Sequence, residues 1–266
     1  MRTNLSPFLK SMMILGYGFL YVPLLTLIIF SFNTSRQVTV WKGFSTKWYA
    51  SLLQDDVLIQ SAWVSLKVAM CAATFAVILG TMAAVVLVRL GRFRSRRFFG
   101  ILTAAPLVMP EVITGLSLLL LFVGLEQSIG WPKTRGILTI TLAHTTLCMA
   151  YVTILVRGRL AEMDRSLEEA ALDLGARPLK VFMLITLPLI SPALIAGWLL
   201  AFALSLDDLV LASFVSGPGS STLPMVIFSS IRFGISPQIN ALATIIITTV
   251  AIGVMVAGWL LHRKKY

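Results

Sequence analysis

The stretch "SLEEAALDLGARPLKVFMLITLP", residues 166–188, decides how the chain is read. Ser166 followed three residues later by Glu169 fits a capping box, which predicts a helix start. Leu167, Ala170, Ala171 and Leu174 then recur at i, i+3, i+4 and i+7, with Asp173 intruding on the stripe. Gly175 tolerates the left-handed backbone that ends a helix. Pro178 suits the first turn of a second helix, where its missing N–H costs nothing. The expectation is a short helix, a sharp glycine corner and another helix. The wider segment 157–187 balances five basic residues against Glu162, Asp164, Glu168, Glu169 and Asp173, so it is more than a cationic tether.

On either side lie apolar runs, 137–156 and 189–214. The whole 266-residue chain is 58% hydrophobic and 12% charged, with a mean hydropathy of +0.90. Soluble domains are about half apolar and a quarter charged, so this is an all-α membrane protein. A bilayer crossing takes about 20 apolar residues, and six segments qualify, near 11–32, 61–88, 98–124, 137–156, 189–214 and 239–261. They form a single membrane domain, 1–266, with no tandem repeat. The first run is long for a signal-peptide core and lacks a small-x-small cleavage site, which reads as an uncleaved anchor. Cys71 and Cys148 sit within apolar runs and read as buried thiols, not a disulfide scaffold. The net charge of +11 does not point to nucleic acid, because the cations flank apolar runs instead of forming a patch on a soluble module.

Lysine and arginine counts orient the spans. With the N-terminus inside, the inner segments hold fifteen, among them Arg2, Lys10, Arg89, Arg92, Arg94, Arg96, Arg97, Arg263, Lys264 and Lys265. The outer segments hold six, including Arg36 and Arg232, and Lys67 completes the 22. Both termini are expected on the cytoplasmic side. In the outer loop 33–60, Trp41, Trp48 and Tyr49 suggest an aromatic belt or an interfacial helix, and "GPGSSTLP", 217–224, is turn chemistry. The run "RLGRFRSRR", 89–97, suits anionic lipid, although inner-side topology already accounts for it.

Glu169-Ala170-Ala171, three residues, Gly175, nine residues, then Ile185-x-Leu187-Pro188 resembles the EAA loop of ABC-importer permeases, with every fixed position at the family's spacing. The resemblance implies a type I importer fold. It also implies that the loop docks into a groove on a cytoplasmic ATPase through Glu168, Glu169, Ala170, Ala171 and Gly175. Implied partners are a second permease subunit, two ATPase subunits and a periplasmic substrate-binding protein. "APLVMPEVITGLSLLLLF", "SLDDLVLASFVSGPG", "TLPM" and "INALAT" are similar to the spermidine/putrescine branch, and most of all to membrane subunits of bacterial putrescine importers. That resemblance implies a polyamine substrate and a place in the bacterial inner membrane.

No G-x-x-x-x-G-K-[ST] occurs, so ATP is left to the partner and no cofactor is expected on this chain. A secondary transporter would tend to show internal repeats with paired broken helices. An intramembrane hydrolase needs a positioned nucleophile and base, and no G-x-S-x-G elbow is present. His144, the one histidine inside a span, is expected to be packed or hydrogen-bonded. No catalytic or metal-binding residue is assigned.

What remains is a set of costly charges. "LAFALSLDDLVLASF", 200–214, carries Asp207 and Asp208. An aspartate at a helix centre costs about 2.5–3.5 kcal/mol on insertion scales and faces a cavity or partner. Counting 1.5 Å per residue, Asp207 falls roughly 27 Å along the fifth span from Leu189. By the same rise, Glu111 falls about 20 Å outward from Phe98 and Lys67 about 10 Å inward from Ser61, so those two are expected to neutralise each other. That leaves Asp207 and Asp208 to line the outer end of a cation path, with Glu111 as a further path carboxylate; the alternative is a structural pair, in which one aspartate caps a helix or meets a basic residue. Pro106 and Pro110, four apart, predict a kink in the third span.

Overall fold

The structure, a computed structural model, describes residues 6–36, 40–91, 93–232 and 237–263. Arg2, Arg92, Lys264 and Lys265, counted above for orientation, lie outside the described residues, as do the side chains of Arg232 and Arg263. Among the described residues the chain is helical, apart from one isolated bridge between Asn33 and Phe44. The helices are α1 (Pro7–Ser31), α2 (Lys47–Leu52), α3 (Asp56–Arg89), α4 (Arg96–Val108), α5 (Glu111–Ile129) and α6 (Ile137–Glu162). They continue with α7 (Ser166–Asp173), α8 (Pro178–Val181), α9 (Leu187–Asp207), α10 (Val210–Val215), α11 (Leu223–Arg232) and α12 (Pro237–Arg263).

Five stretches of described helix are long and apolar enough to cross a membrane: α1, α3, α5, α6 and the run Pro178–Asp207. Two expected spans differ from the reading above. The third, 98–124, is two helices. Pro110 has no N–H to give, and its ring holds Met109 in an extended conformation (φ −76°, ψ 136°), so α4 stops and α5 begins afresh at Glu111. The fifth starts eleven residues before Leu189 and stops at Asp207, before the expected end at 214. Its first part is α8, then a π-helical segment, Phe182–Thr186, then α9. Pro188 removes one rung of the i→i−4 ladder, and the wider π turn just before it absorbs that loss.

The chain forms two compact units. Residues 1–59 and 227–266 make one, in which α12 packs against α1 and α2. Within it Trp48 is buried and donates from Nε1 to the Asn33 carbonyl at 2.6 Å, while the Tyr49 hydroxyl meets Ser31 Oγ at 2.7 Å. Of the two tryptophans of 33–60, only Trp41 therefore stays exposed. An indole N–H is satisfied more cheaply by a fixed carbonyl than by an interface, which is why the belt expectation fails for Trp48.

The other unit, residues 60–226, is centred on α6, with α4, α9 and α10 against it. The buried face of α3 is rich in small residues: Ala69, Ala72, Ala73, Ala76 and Ala84 are fully buried, beside Val68. Small faces let backbones approach, the usual basis of helix association in lipid. At Gly80 a Cβ would lie 2.9 Å from Val152, so only glycine keeps that crossing. Ala73, Ala76, Cys148, Val152, Val156 and Ile190 share one core cluster. Cys148 is buried, and its thiol donates to the Ala201 carbonyl at 3.5 Å. Cys71 is exposed on α3, contrary to the expectation from its apolar run. A membrane helix presents apolar residues to lipid as well as to protein, so hydropathy does not separate the two faces.

Candidate functional site

Two constellations sit at the two ends of Pro178–Asp207. The first is the loop between α6 and α9. Ser166 is the first residue of α7, not its cap, and the expected capping box does not form. Asp164 does that work, accepting the Ser166 N–H at 3.0 Å. This bond, with the Ser166 side chain beside it, holds the Asp164 carboxyl below the usual carboxylate range. The far end of α7 follows the glycine expectation. Gly175 has φ +81°, its N–H bonds to the Leu172 carbonyl at 2.8 Å, and Ala176 N–H bonds to Ala171 at 3.1 Å. That pair is a Schellman closure. Pro178 opens α8, as expected.

What ties this loop to the bundle is a set of arginines that composition alone assigns only to topology. A helix leaves its last four carbonyls unpaired. At the end of α3, Arg96 Nη2 donates to the Leu87 carbonyl at 2.6 Å and Arg165 Nη2 donates to Val88 at 2.8 Å. Arg89 Nε lies 2.9 Å from Glu168 Oε2, as an ion pair and not an aligned hydrogen bond. The other Glu168 oxygen accepts from the buried Thr186 hydroxyl at 2.6 Å. Glu168 is thus turned inward and joins α7 to α3 and to the π segment. Glu169 and Ala170 are exposed and Ala171 is half-buried. Leu167, Leu172 and Leu179 are exposed with them, and Leu174 is 89% exposed. No residue of α7 is buried, and its exposed surface sets Leu167, Ala170 and Leu172 beside Glu169 and Asp173.

The second constellation is the helix break at Asp208. The backbone leaves the α region there (ψ 125°), ending α9, and α10 starts two residues later. Asp208 Oδ1 accepts the Ala212 N–H at 3.0 Å and lies 3.3 Å from His144 Nε2, as an ion-pair contact and not an aligned hydrogen bond. His144 is 1% exposed, and its Nδ1 sits 2.7 Å from Ser205 Oγ, one turn before the break. The expectation that His144 is hydrogen-bonded is met. It also supplies the polar partner that counting lysines and arginines does not reveal. Asp208 therefore points into the protein, whereas Asp207 beside it is exposed. Neighbouring helical residues diverge by about 100°, which separates the two carboxylates.

Glu111 is exposed at the first turn of α5, where a helix N-terminus favours a carboxylate. Lys67 is exposed on α3. The expected Lys67–Glu111 pair is absent: among the described residues the ion pairs are Arg89–Glu168, His144–Asp208 and Arg159–Glu162. The depth count behind that expectation treated 98–124 as one straight helix, and the break at Met109–Pro110 voids it. Gly115, one turn after Glu111 and on its face, abuts Phe214 of α10, where a Cβ would stand 2.6 Å from the ring. Among the described residues no group of three His, Cys, Asp or Glu stands ready for a metal.

Residues 76–263 match the family described as "Binding-protein-dependent transport system inner membrane component". The chain is 61% identical over 260 residues to the putrescine transport system permease protein PotI of Escherichia coli K12, covering 98% of this chain and 92% of that protein. It is 40% identical over 249 residues to the spermidine/putrescine permease PotC of the same organism, covering 94% and 91%. Among solved structures it superposes on a chain of a bacterial ABC transporter involved in the import of the acidic polysaccharide alginate, with TM-score 0.71, 19% identity and coverage of 96% and 94%. A chain of the methionine transporter MetNI in an inward-facing form gives TM-score 0.61 at 16% identity, covering 77% and 94%. With its break, its glycine corner and its apolar helices accounted for, the chain belongs to the inner-membrane permease components of binding-protein-dependent ABC importers.

Proposed function

We propose that this chain is one of two permease subunits of a polyamine importer, carrying putrescine or spermidine. The observation behind the substrate class is the 61% identity to a putrescine permease across 98% of the chain. The exposed Asp207 at the helix break is its physical counterpart, since a polyamine carries separated ammonium groups and needs carboxylates on its route. Asp207 and Glu111 receive the cation near the outer mouth, and Asp208 holds the break in shape from within. The chain works as one permease domain with a second permease subunit, two ATPase subunits that bind the ATP, and a periplasmic polyamine-binding protein. It has no cofactor of its own. Uptake of labelled putrescine, spermidine and a monoamine by proteoliposomes holding the assembled transporter tests the substrate. Equal uptake of the monoamine would overturn the polyamine reading.

In this reading the uncovered face of α7, with Glu169, Ala170, Ala171, Leu172 and Leu174, docks on the ATPase, and Gly175 shapes the corner. A β-branched residue at a positive φ is a genuine outlier. No atom stands within 4 Å of a Cβ at Gly175, so the cost of Gly175→Val is conformational and local. The expected outcome is normal membrane insertion with substrate-stimulated ATP hydrolysis reduced at least about tenfold, a barrier change near 1.4 kcal/mol. Unchanged coupling would remove the docking role.

Both termini and the loops 89–97 and 157–187 lie in the cytoplasm. Reporter fusions at Lys265 and in each of those loops are expected to read inside. An outside signal from 157–187 would defeat the orientation and the docking assignment together.

A further inference from the structure

A cleft of about 1020 Å³ opens where α3 ends, α4 begins and α6 nears its last turns. Arg94, Arg96, Arg97 and Arg157 line it, with Leu87 and Ile101 supplying apolar wall. None of these four arginines takes part in an ion pair among the described residues. Arg96 spends one nitrogen on the Leu87 carbonyl, and Arg94, Arg97 and Arg157 are exposed. Positive-inside topology accounts for the sign of these residues, but not for their convergence on one cavity from α4, the turn before it and α6. Guanidinium forks match phosphate oxygens in geometry as well as charge. The apolar wall continues onto exposed Phe98, Ile101 and Leu102 of α4, which face whatever surrounds the helix.

We propose that this cleft is a binding site for an anionic phospholipid. Its phosphate sits among Arg94, Arg97 and Arg157, and an acyl chain lies along Ile101 and its neighbours. The shared chemistry of a free phosphate satisfies the arginines but leaves the adjoining apolar wall unused, which favours the lipid. The site does not depend on the polyamine reading, since it lies at the end of α3, α4 and α6 and involves none of the path carboxylates.

The test uses the assembled transporter purified in neutral detergent, titrated with phosphatidylglycerol or phosphatidylcholine and read by native mass spectrometry. Phosphatidylglycerol is expected to be retained and phosphatidylcholine to wash off. Replacing two basic residues, Arg94→Gln with Arg97→Gln, is expected to weaken retention about 30-fold, from the usual worth of a basic residue at an anionic surface. Arg159→Gln, which removes an exposed charge outside the cleft, is expected to leave retention unchanged. Equal retention by the double variant, or displacement by inorganic phosphate at matching concentration, overturns the proposal. A photoactivatable phosphatidylglycerol on the unaltered transporter gives a readout free of any folding defect. Cross-links are expected within 93–104, and a map lying wholly elsewhere would also overturn it.

Discussion

Polyamine uptake by the assembled transporter is expected to fall about 10- to 100-fold when Asp207 is replaced by Asn, the loss of one charged hydrogen bond worth about 1.5–3 kcal/mol. Asp207 is exposed and accepts no side-chain partner among the described residues, so the substitution leaves the fold intact. Asp208→Asn is expected to act differently. It weakens a buried contact with His144 while keeping an oxygen for the Ala212 N–H. Breaking one partner of a buried polar pair costs about 1–3 kcal/mol, so this variant should melt earlier and assemble in lower yield. Uptake per assembled transporter would then stay near normal. Measuring uptake and assembled yield side by side separates the two carboxylates. Normal uptake by Asp207→Asn removes it from the cation route, and normal yield with lost uptake for Asp208→Asn would move Asp208 onto that route.

Gly217→Ala is expected to be the most damaging single methyl in residues 60–226. A Cβ there would collide with the Arg135 carbonyl oxygen and stand 2.7 Å from its carbon, backbone atoms that cannot swing aside. The surrounding turn is tightly specified. Thr139 Oγ1 donates to the Val215 carbonyl at 2.7 Å, and Gly217 N–H donates to Ser220 Oγ at 2.9 Å. Overpacking a well-filled site costs about 1–3 kcal/mol when side chains can yield, and backbone contact puts this case above that range. The assembled protein should be nearly lost from membranes or melt many degrees lower. An unchanged melting temperature would show that the loop 217–224 moves freely away from Arg135. Gly124, with no atom within 4 Å of a Cβ, is the matched control and should accept alanine silently.

The features that were legible in the sequence are those carried by local backbone chemistry. Gly175 and Pro178 announced the corner because only a few residues tolerate those conformations. Pro110 announced a disturbance, yet a kink and a complete break have the same signature one residue at a time, and the actual outcome depended on Met109 turning extended. The inward turn of Asp208 was not legible. Its partner His144 lies 64 positions earlier, and nothing in hydropathy couples two polar residues on different spans. Glu168 misled for a related reason. It stands beside the exposed Glu169 in a motif whose charges resemble a docking surface, but the helix phase aims it at Arg89 and Thr186. Helical phase is readable when an apolar stripe marks the buried face, and the stripe of α7 (Leu167, Ala170, Ala171 and Leu174) is not buried.

The π segment at Phe182–Thr186 carries one residue more per turn of hydrogen bonding than the helix on either side. Every side chain of α9 is therefore dialled about 100° away from where an uninterrupted α-helix would aim it. Asp207 lies at the far end of that dial, as the last residue of α9. Which of the two neighbouring carboxylates meets His144, and which faces outward, is thus set as much by the width of a single turn beside the glycine corner as by the residues at the break itself.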